Sequence, residues 1–137
     1  MELLTVDGAS AVREARRRTA AVLRRWRCQR ERVEEAVLVV SEVVTNALQH
    51  GGGVVRVRLL RRRRYVRVEV EDDSPKLPVL MAAPPTAENG RGVYIVRKLA
   101  ARWGSHLLGR GKLVWAELPC GIDLGVDEGP GAPEPRP

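Results

Sequence analysis

Three polar side chains recur at four-residue intervals within VVSEVVTNALQHGGG, residues 39–53, a segment that is otherwise largely apolar. They are Glu42, Asn46 and His50. Residues four apart lie on one face of a helix, so the segment would present a carboxylate, an amide and an imidazole in one row. The carboxylate could orient or deprotonate an attacking hydroxyl or water, and the amide oxygen suits Mg²⁺ that bridges phosphates.

This polar row lies opposite the main apolar stripe of the predicted helix, at about 100° of rotation per residue. A solvated face is the ordinary explanation for such a row. Here, however, Leu38 and Val39 flank it with apolar groups. A face that is half apolar is better explained by a covering ligand that has an apolar part and a charged part.

Two further segments offer groups to such a ligand. Asp72 directly follows an apolar strand pattern, where a carboxylate needs a specific hydrogen-bond donor, and the amino group of adenine is suitable. Gly90 and Gly92 flank Arg91 at the predicted start of a helix, where free backbone N–H groups favour phosphate. Each feature alone can be a turn or a cap, so the prediction depends on their combination and order.

The composition predicts a single globular domain. The chain has 137 residues, of which 44% are hydrophobic. No apolar run reaches the roughly 18 residues of a membrane span, and the N-terminus lacks a signal-peptide pattern. We therefore expect a cytoplasmic chain without a membrane partner, in which Cys28 and Cys120 are reduced thiols and not a disulfide.

The net charge of +7 favours polyanions as partners. The arginines occur in separate clusters, however, on one face of the first predicted helix and in one predicted turn. No aromatic residues alternate with them as a single-strand binding platform would require. Direct nucleic-acid binding is therefore a minor alternative, and the arginine-rich first helix leaves room for a homodimer interface.

Hydrophobic periodicity assigns these residues to an α+β fold. The predicted strands are 2–6, 54–60, 65–71, 105–108 and 112–118, and the predicted helices are 9–27, 31–50 and 93–103. The Pro- and Ala-rich residues 75–89 form a loop. We predict one domain over residues 1–120 and a disordered tail over residues 121–137. The element order predicts a two-layer α/β sandwich, with helices on one face of a mixed, mainly antiparallel sheet.

Four segments together resemble the N box and the successive G boxes of the GHKL (histidine kinase-like) ATPase superfamily. They are SEVVTNALQHG, VEVEDDSP, NGRGVYIVRKLAARWG and GKLVWAEL. The resemblance covers roughly residues 1–120, and it is closest to small bacterial anti-sigma factor serine/threonine kinases and related stand-alone ATP-binding regulators. It implies a Bergerat-type ATP-binding fold, with ATP and Mg²⁺ as cofactors.

The resemblance also implies roles for the matching residues near the first two boxes. Asn46 resembles the amide that coordinates Mg²⁺, and Glu42 resembles the catalytic carboxylate. His50 matches a position beside the nucleotide pocket. Asp72 resembles the aspartate that hydrogen-bonds adenine.

The later boxes supply the remaining candidate residues. Gly90, Arg91 and Gly92 resemble the phosphate-side turn, and Lys112 begins the last box, which lines the adenine end. The second box departs from the usual DxGxG pattern, because residues 72–76 read DDSPK and lack both glycines. Losing them removes backbone freedom near the base, and the loop before Gly90 is short and rich in proline for an ATP lid.

The resemblance implies a kinase that phosphorylates a serine or threonine of an anti-sigma-factor antagonist, and so acts on a sigma factor. A non-catalytic ATP-binding partner switch is the main alternative, which the altered DxGxG box favours. A basic nucleic-acid binder is the third. A histidine kinase is disfavoured, because no phosphoacceptor helix precedes the ATP-binding region in this sequence.

Overall fold

The computed structural model describes residues 2–50, 54–73, 95, 96 and 98–121. Residues 95, 96, 98 and 99 are helical. The other elements, in chain order, are β1 (Glu2–Val6), α1 (Ala11–Arg25), α2 (Arg30–His50), β2 (Val55–Arg61), β3 (Tyr65–Asp72), β4 (Arg102–Leu107) and β5 (Lys112–Pro119). The predicted loop 75–89, the turn at Gly90, Arg91 and Gly92, and the tail beyond residue 121 lie outside the described part.

The predicted elements are confirmed with small shifts at their ends, except at the third helix. The sequence pattern extends that helix to Trp103, whereas the helical residues end at Leu99 and Trp103 lies in β4. Pairing with the sheet explains the earlier end. The amide of Ala101 already donates a hydrogen bond of 2.8 Å to the carbonyl of Glu117 on β5.

The five strands form one sheet in the order β1-β2-β3-β5-β4. All four neighbouring pairs are antiparallel, so the parallel component expected of a mixed sheet is not found among the described strands. The run of four arginines makes the β2–β3 turn as predicted, and there Arg62 donates its amide to the carbonyl of Tyr65 at 2.8 Å. The pair β3–β5 is the long-range contact that closes the centre of the sheet.

The helices cover one face of this sheet and complete a two-layer sandwich. Strand residues alternate strictly between buried and half-buried positions in β3, and the buried set faces the helices. The chain has no Phe, and the core is built mainly from Val, Leu and Ala side chains together with the two cysteines. Valines of α2 that are fully buried include Val39, Val40 and Val44. In the described part of the chain, neither helix is long and apolar enough to cross a bilayer.

The other face of the sheet carries a connected set of charged side chains. Glu69 accepts hydrogen bonds from Arg58 at 3.0 Å and from Arg67 at 2.8 Å, and the Arg67 guanidinium lies 4.2 Å from the ring centroid of Trp115. Burial raises the pKa of Glu69, but these hydrogen bonds outweigh it and hold the pKa below its ordinary value. Because these arginines are paired within the sheet, they contribute little to a surface for polyanions.

The expectation of two reduced thiols is wrong, because Cys28 and Cys120 form a disulfide. Their Cα atoms are 5.0 Å apart although 92 residues separate them in sequence. Cys28 lies between α1 and α2, and Cys120 directly follows β5. The amide of Gln29 donates to the carbonyl of Cys120 at 3.1 Å, so the fold itself brings the two segments together. Compartment and separation in sequence do not reveal such a contact, because it arises only in the folded chain.

We expect Cys120→Ser to lower the free energy of unfolding by about 3 to 5 kcal/mol under non-reducing conditions, because a cross-link over so long a segment constrains the unfolded chain. Urea unfolding with and without dithiothreitol measures the difference. Reductant should bring the wild type to the value of the variant and leave the variant unchanged. A wild type that does not respond to reductant would contradict the cross-link.

Candidate functional site

The polar row of α2 lies along the border between the core and the open side of the helix. Glu42 and Asn46 are both half-buried. Of the two apolar residues expected to flank the row, Val39 is fully buried whereas Leu38 is 42% exposed. One side of the row is therefore packed against the domain, and the other side remains accessible to a ligand or a partner.

The local sequence explains where this helix begins and ends. Its first turn contains Glu31, which interacts favourably with the positive end of the helix dipole. Within the helix, the Thr45 hydroxyl donates to the carbonyl of Ser41 at 2.7 Å, so this polar side chain is satisfied locally. The helix ends at His50, directly before three glycines, which are poor helix formers. The side chain of His50, a predicted site residue, lies outside the described part of the structure.

Asp72 and Lys112 form a buried ion pair at the end of the sheet. They are directly opposite each other in the β3–β5 register. Lys112 Nζ lies 2.8 Å from Asp72 Oδ2, and each side chain is only 1% exposed. The ammonium is not aligned for a hydrogen bond to that oxygen, and it has no well-directed hydrogen-bond partner among the described residues. Lys112 thus compensates the negative charge of the carboxylate, while the N–H donors of its ammonium lack well-directed acceptors among the described residues.

Gly111, which is not among the predicted site residues, makes this pairing possible. A Cβ atom at this position would overlap the carbonyl oxygen of Asp72. Only glycine therefore lets the start of β5 lie so close to the end of β3. The signal in the sequence was the Gly–Lys pair directly before an apolar strand, but its meaning depends on a register that the sequence does not specify.

The sheet register brings the end of α2 and the Asp72–Lys112 pair to the same end of the domain. The chain takes five residue steps from the end of α2 to the start of β2, a reach of at most about 18 Å. Arg56 pairs with Glu71, so the start of β2 lies beside the end of β3. Asn46 lies one helical turn before the end of α2, on the same side of the sheet as the buried residues of β3.

These groups offer two different chemistries. The half-buried carboxylate and amide of α2 can hold a hydroxyl and a hard cation. No cluster of three or more His, Cys, Asp or Glu side chains suited to a metal occurs within the described ranges, so a cation there would take further ligands from a bound anion. The buried ammonium and carboxylate place a donor next to an acceptor, the same two kinds of group that the edge of a purine base carries.

An arginine-lined cavity of about 550 Å³ lies elsewhere, at the start of α2. Its lining residues are Arg24, Arg27, Cys28, Arg30, Val33 and Glu34. Because α2 has 21 residues and is therefore about 30 Å long, this cavity is far from the Asp72–Lys112 pair. It is not part of the candidate site.

Comparison with known proteins agrees with this architecture. A sequence profile described as "Histidine kinase-like ATPase domain" matches residues 6–117. The "Uncharacterized protein SCO4941" of Streptomyces coelicolor is 32% identical over 84 residues, which are 57% of this chain and 79% of that protein.

Two histidine kinase structures are similar in fold. The histidine kinase domain from the Erythrobacter litoralis EL346 blue-light activated histidine kinase matches with a TM-score of 0.54 and 28% identity. The match covers 80% of this chain but only 61% of that one. The nucleotide-free catalytic domain of histidine kinase ThkA matches with a TM-score of 0.53 and 18% identity, covering 90% of this chain and 100% of that one.

The profile match includes Glu42, Asn46, Asp72 and Lys112. The open five-stranded antiparallel sheet with helices on one face is the GHKL ATP-binding fold, and the profile match together with this fold supports ATP binding. This chain belongs to the family of histidine kinase-like ATPase domains.

Proposed function

We propose that this protein is an ATP-dependent serine/threonine protein kinase of the anti-sigma factor type, which phosphorylates an anti-sigma-factor antagonist. One observation carries the proposal. A helix with a half-buried carboxylate and amide ends at the same end of the sheet as a buried Asp–Lys pair, in a chain of the histidine kinase-like ATPase family. The first group suits phosphates and an attacking hydroxyl, and the second suits a base.

The nucleotide would be held at two ends. Asp72 would accept a hydrogen bond from the adenine amino group, with Lys112 beside it. The amide oxygen of Asn46 would coordinate Mg²⁺, and His50 would lie next to the pocket. The phosphate role of Gly90, Arg91 and Gly92 rests on the sequence resemblance, since these residues lie outside the described part. When bound, ATP supplies the γ-phosphoryl group, and ADP leaves.

Glu42 would act on the acceptor. It lies one helical turn before Asn46, so its carboxylate can hold a serine or threonine hydroxyl near the metal side of the nucleotide. The carboxylate would orient that hydroxyl and take its proton as the oxygen forms its bond to phosphorus. Phosphoryl transfer depends mainly on such positioning and on neutralisation of charge. The exposed Leu38, one turn earlier, leaves this side of the helix open to a protein substrate.

In this proposal the antagonist is the direct partner, and a sigma factor is controlled through it in the cytoplasm. A non-catalytic ATP-binding switch is the second candidate. The specific observation in its favour is the sequence DDSPK, which lacks the two glycines of the DxGxG box. Such a protein would bind ATP and a partner without transferring phosphate.

We expect Asn46→Ala to weaken Mg²⁺-dependent ATP binding by about 10- to 100-fold, the usual effect of losing one contact to a charged group. Isothermal titration calorimetry with ATP and ADP, with and without Mg²⁺, measures this. Gln49→Ala removes an exposed amide from the same helix and should bind as the wild type does. If the wild type gives no heat with sub-millimolar nucleotide, both the kinase and the switch are excluded.

We expect Glu42→Gln to reduce phosphotransfer by about 10²- to 10⁴-fold while ATP affinity is retained, because the change removes a proton acceptor but keeps the shape. Transfer of ³²P from γ-labelled ATP to a panel of purified antagonists from the same genome is the measurement. Glu34→Gln, an exposed change on the same helix, is the control. ATP binding by the wild type without transfer to any antagonist would favour the switch.

A further inference from the structure

The ion pair with Asp72 does not explain how the hydrogen-bond donors of the Lys112 ammonium are satisfied. This ammonium is fully buried, it lies 2.8 Å from Asp72 Oδ2, and it has no well-directed hydrogen-bond partner among the described residues. An ammonium carries three N–H donors, and leaving such donors unsatisfied in the interior is costly. Even if one N–H is directed at the carboxylate, the other two donors of the ammonium have no acceptor among the described residues.

We infer that Lys112 reads the purine base together with Asp72, by donating a hydrogen bond to ring nitrogen N1 of adenine. This inference rests on the proposed nucleotide binding and deepens it. In the proposed complex Asp72 accepts from the amino group, and the neighbouring acceptor on the same edge of the base is N1. Lys112 is therefore a residue that determines base specificity, in addition to balancing the charge of Asp72.

The arrangement of the two side chains supports this pairing. A carboxylate oxygen and an ammonium nitrogen side by side present an acceptor next to a donor, which complements the donor–acceptor order of the adenine edge. Amide side chains recognise adenine through an acceptor and a donor placed next to each other in the same way. Because the two charges cancel, an uncharged base meets no net charge at this position.

The fold also fixes the position of the pair. Asp72 and Lys112 are cross-strand partners, and Gly111 allows the backbone of β5 to approach the carbonyl of Asp72. Both groups therefore lie on backbone that the sheet holds in place. Replacement of such a pair by apolar residues often costs no stability, so a buried ion pair with unused donors is better explained by recognition than by packing.

The test uses wild-type protein and a ligand that lacks only the proposed acceptor. In 1-deaza-ATP a C–H group replaces N1, and we expect its Mg²⁺-dependent affinity to be about 10- to 100-fold lower than that of ATP, as for other hydrogen bonds to charged groups. Calorimetric titration gives both affinities. The matched ligand control is 7-deaza-ATP, which keeps N1 and should bind as ATP does.

The variant Lys112→Met completes the comparison, and it should bind ATP and 1-deaza-ATP with equal affinity. Because the change leaves Asp72 without its cation, circular dichroism is used to check that the variant folds. The control variant is Lys98→Met, which changes an exposed lysine in the same way. Should Lys112→Met fail to fold, the double variant Asp72→Asn/Lys112→Met, which removes both buried charges, takes its place and should likewise bind ATP and 1-deaza-ATP with equal affinity.

The outcomes separate the two proposals. Equal affinity of the wild type for ATP and 1-deaza-ATP would overturn the role of Lys112 and leave nucleotide binding intact. A penalty for 1-deaza-ATP that persists in folded Lys112→Met would mean that another group contacts N1, which also overturns it. A wild type that binds none of the ligands would refute the proposed function itself.

Discussion

The burial of two opposite charges at the end of the sheet constrains the rest of this domain. Moving a carboxylate and an ammonium out of water costs several kcal/mol per ion, and close contact must offset that cost. The contact here is 2.8 Å, and it exists because Asp72 and Lys112 are partners in the β3–β5 register. A slip of one residue in either strand would turn one of the two side chains to the other face and separate the charges. The pair therefore requires one register, and Gly111 permits the approach that the register needs.

The long helix α2 is the second constraint, because it is fixed at both ends. Its start is held to the end of β5 by the disulfide and by the hydrogen bond from Gln29 to the carbonyl of Cys120. Its end is tied to the sheet by the short connection into β2. Between these points, the buried valines on one side of the helix pack against the strands. The polar row of Glu42 and Asn46 thus has a defined direction relative to the ion pair.

Much of the fold could be predicted from the sequence, because hydrophobic periodicity reports which face of each element is buried. The strands and the first two helices follow that pattern closely. The end of the third helix could not be predicted, since the pairing of Ala101 with β5 is a tertiary contact. The order of the boxes predicts Glu42, Asn46, Asp72 and Lys112 as candidate residues, but the direct pairing of the last two depends on strands that are not adjacent in sequence. Closeness of Cys28 and Cys120 is likewise a property of the folded chain alone.

The disulfide and the proposed cytoplasmic role can be reconciled through the contacts around the two sulfurs. Cytoplasmic thiols are normally kept reduced, so a fold that required this bond would not suit that compartment. Here the main chain already holds the segments together, since Cys120 accepts from the amide of Gln29 at 3.1 Å and donates its own amide to the carbonyl of Arg64 at 2.8 Å. The Arg61 guanidinium lies against the Cys120 sulfur and would favour a thiolate after reduction. Reduction therefore removes the constraint on the unfolded chain, but it leaves in place the hydrogen bonds that position α2.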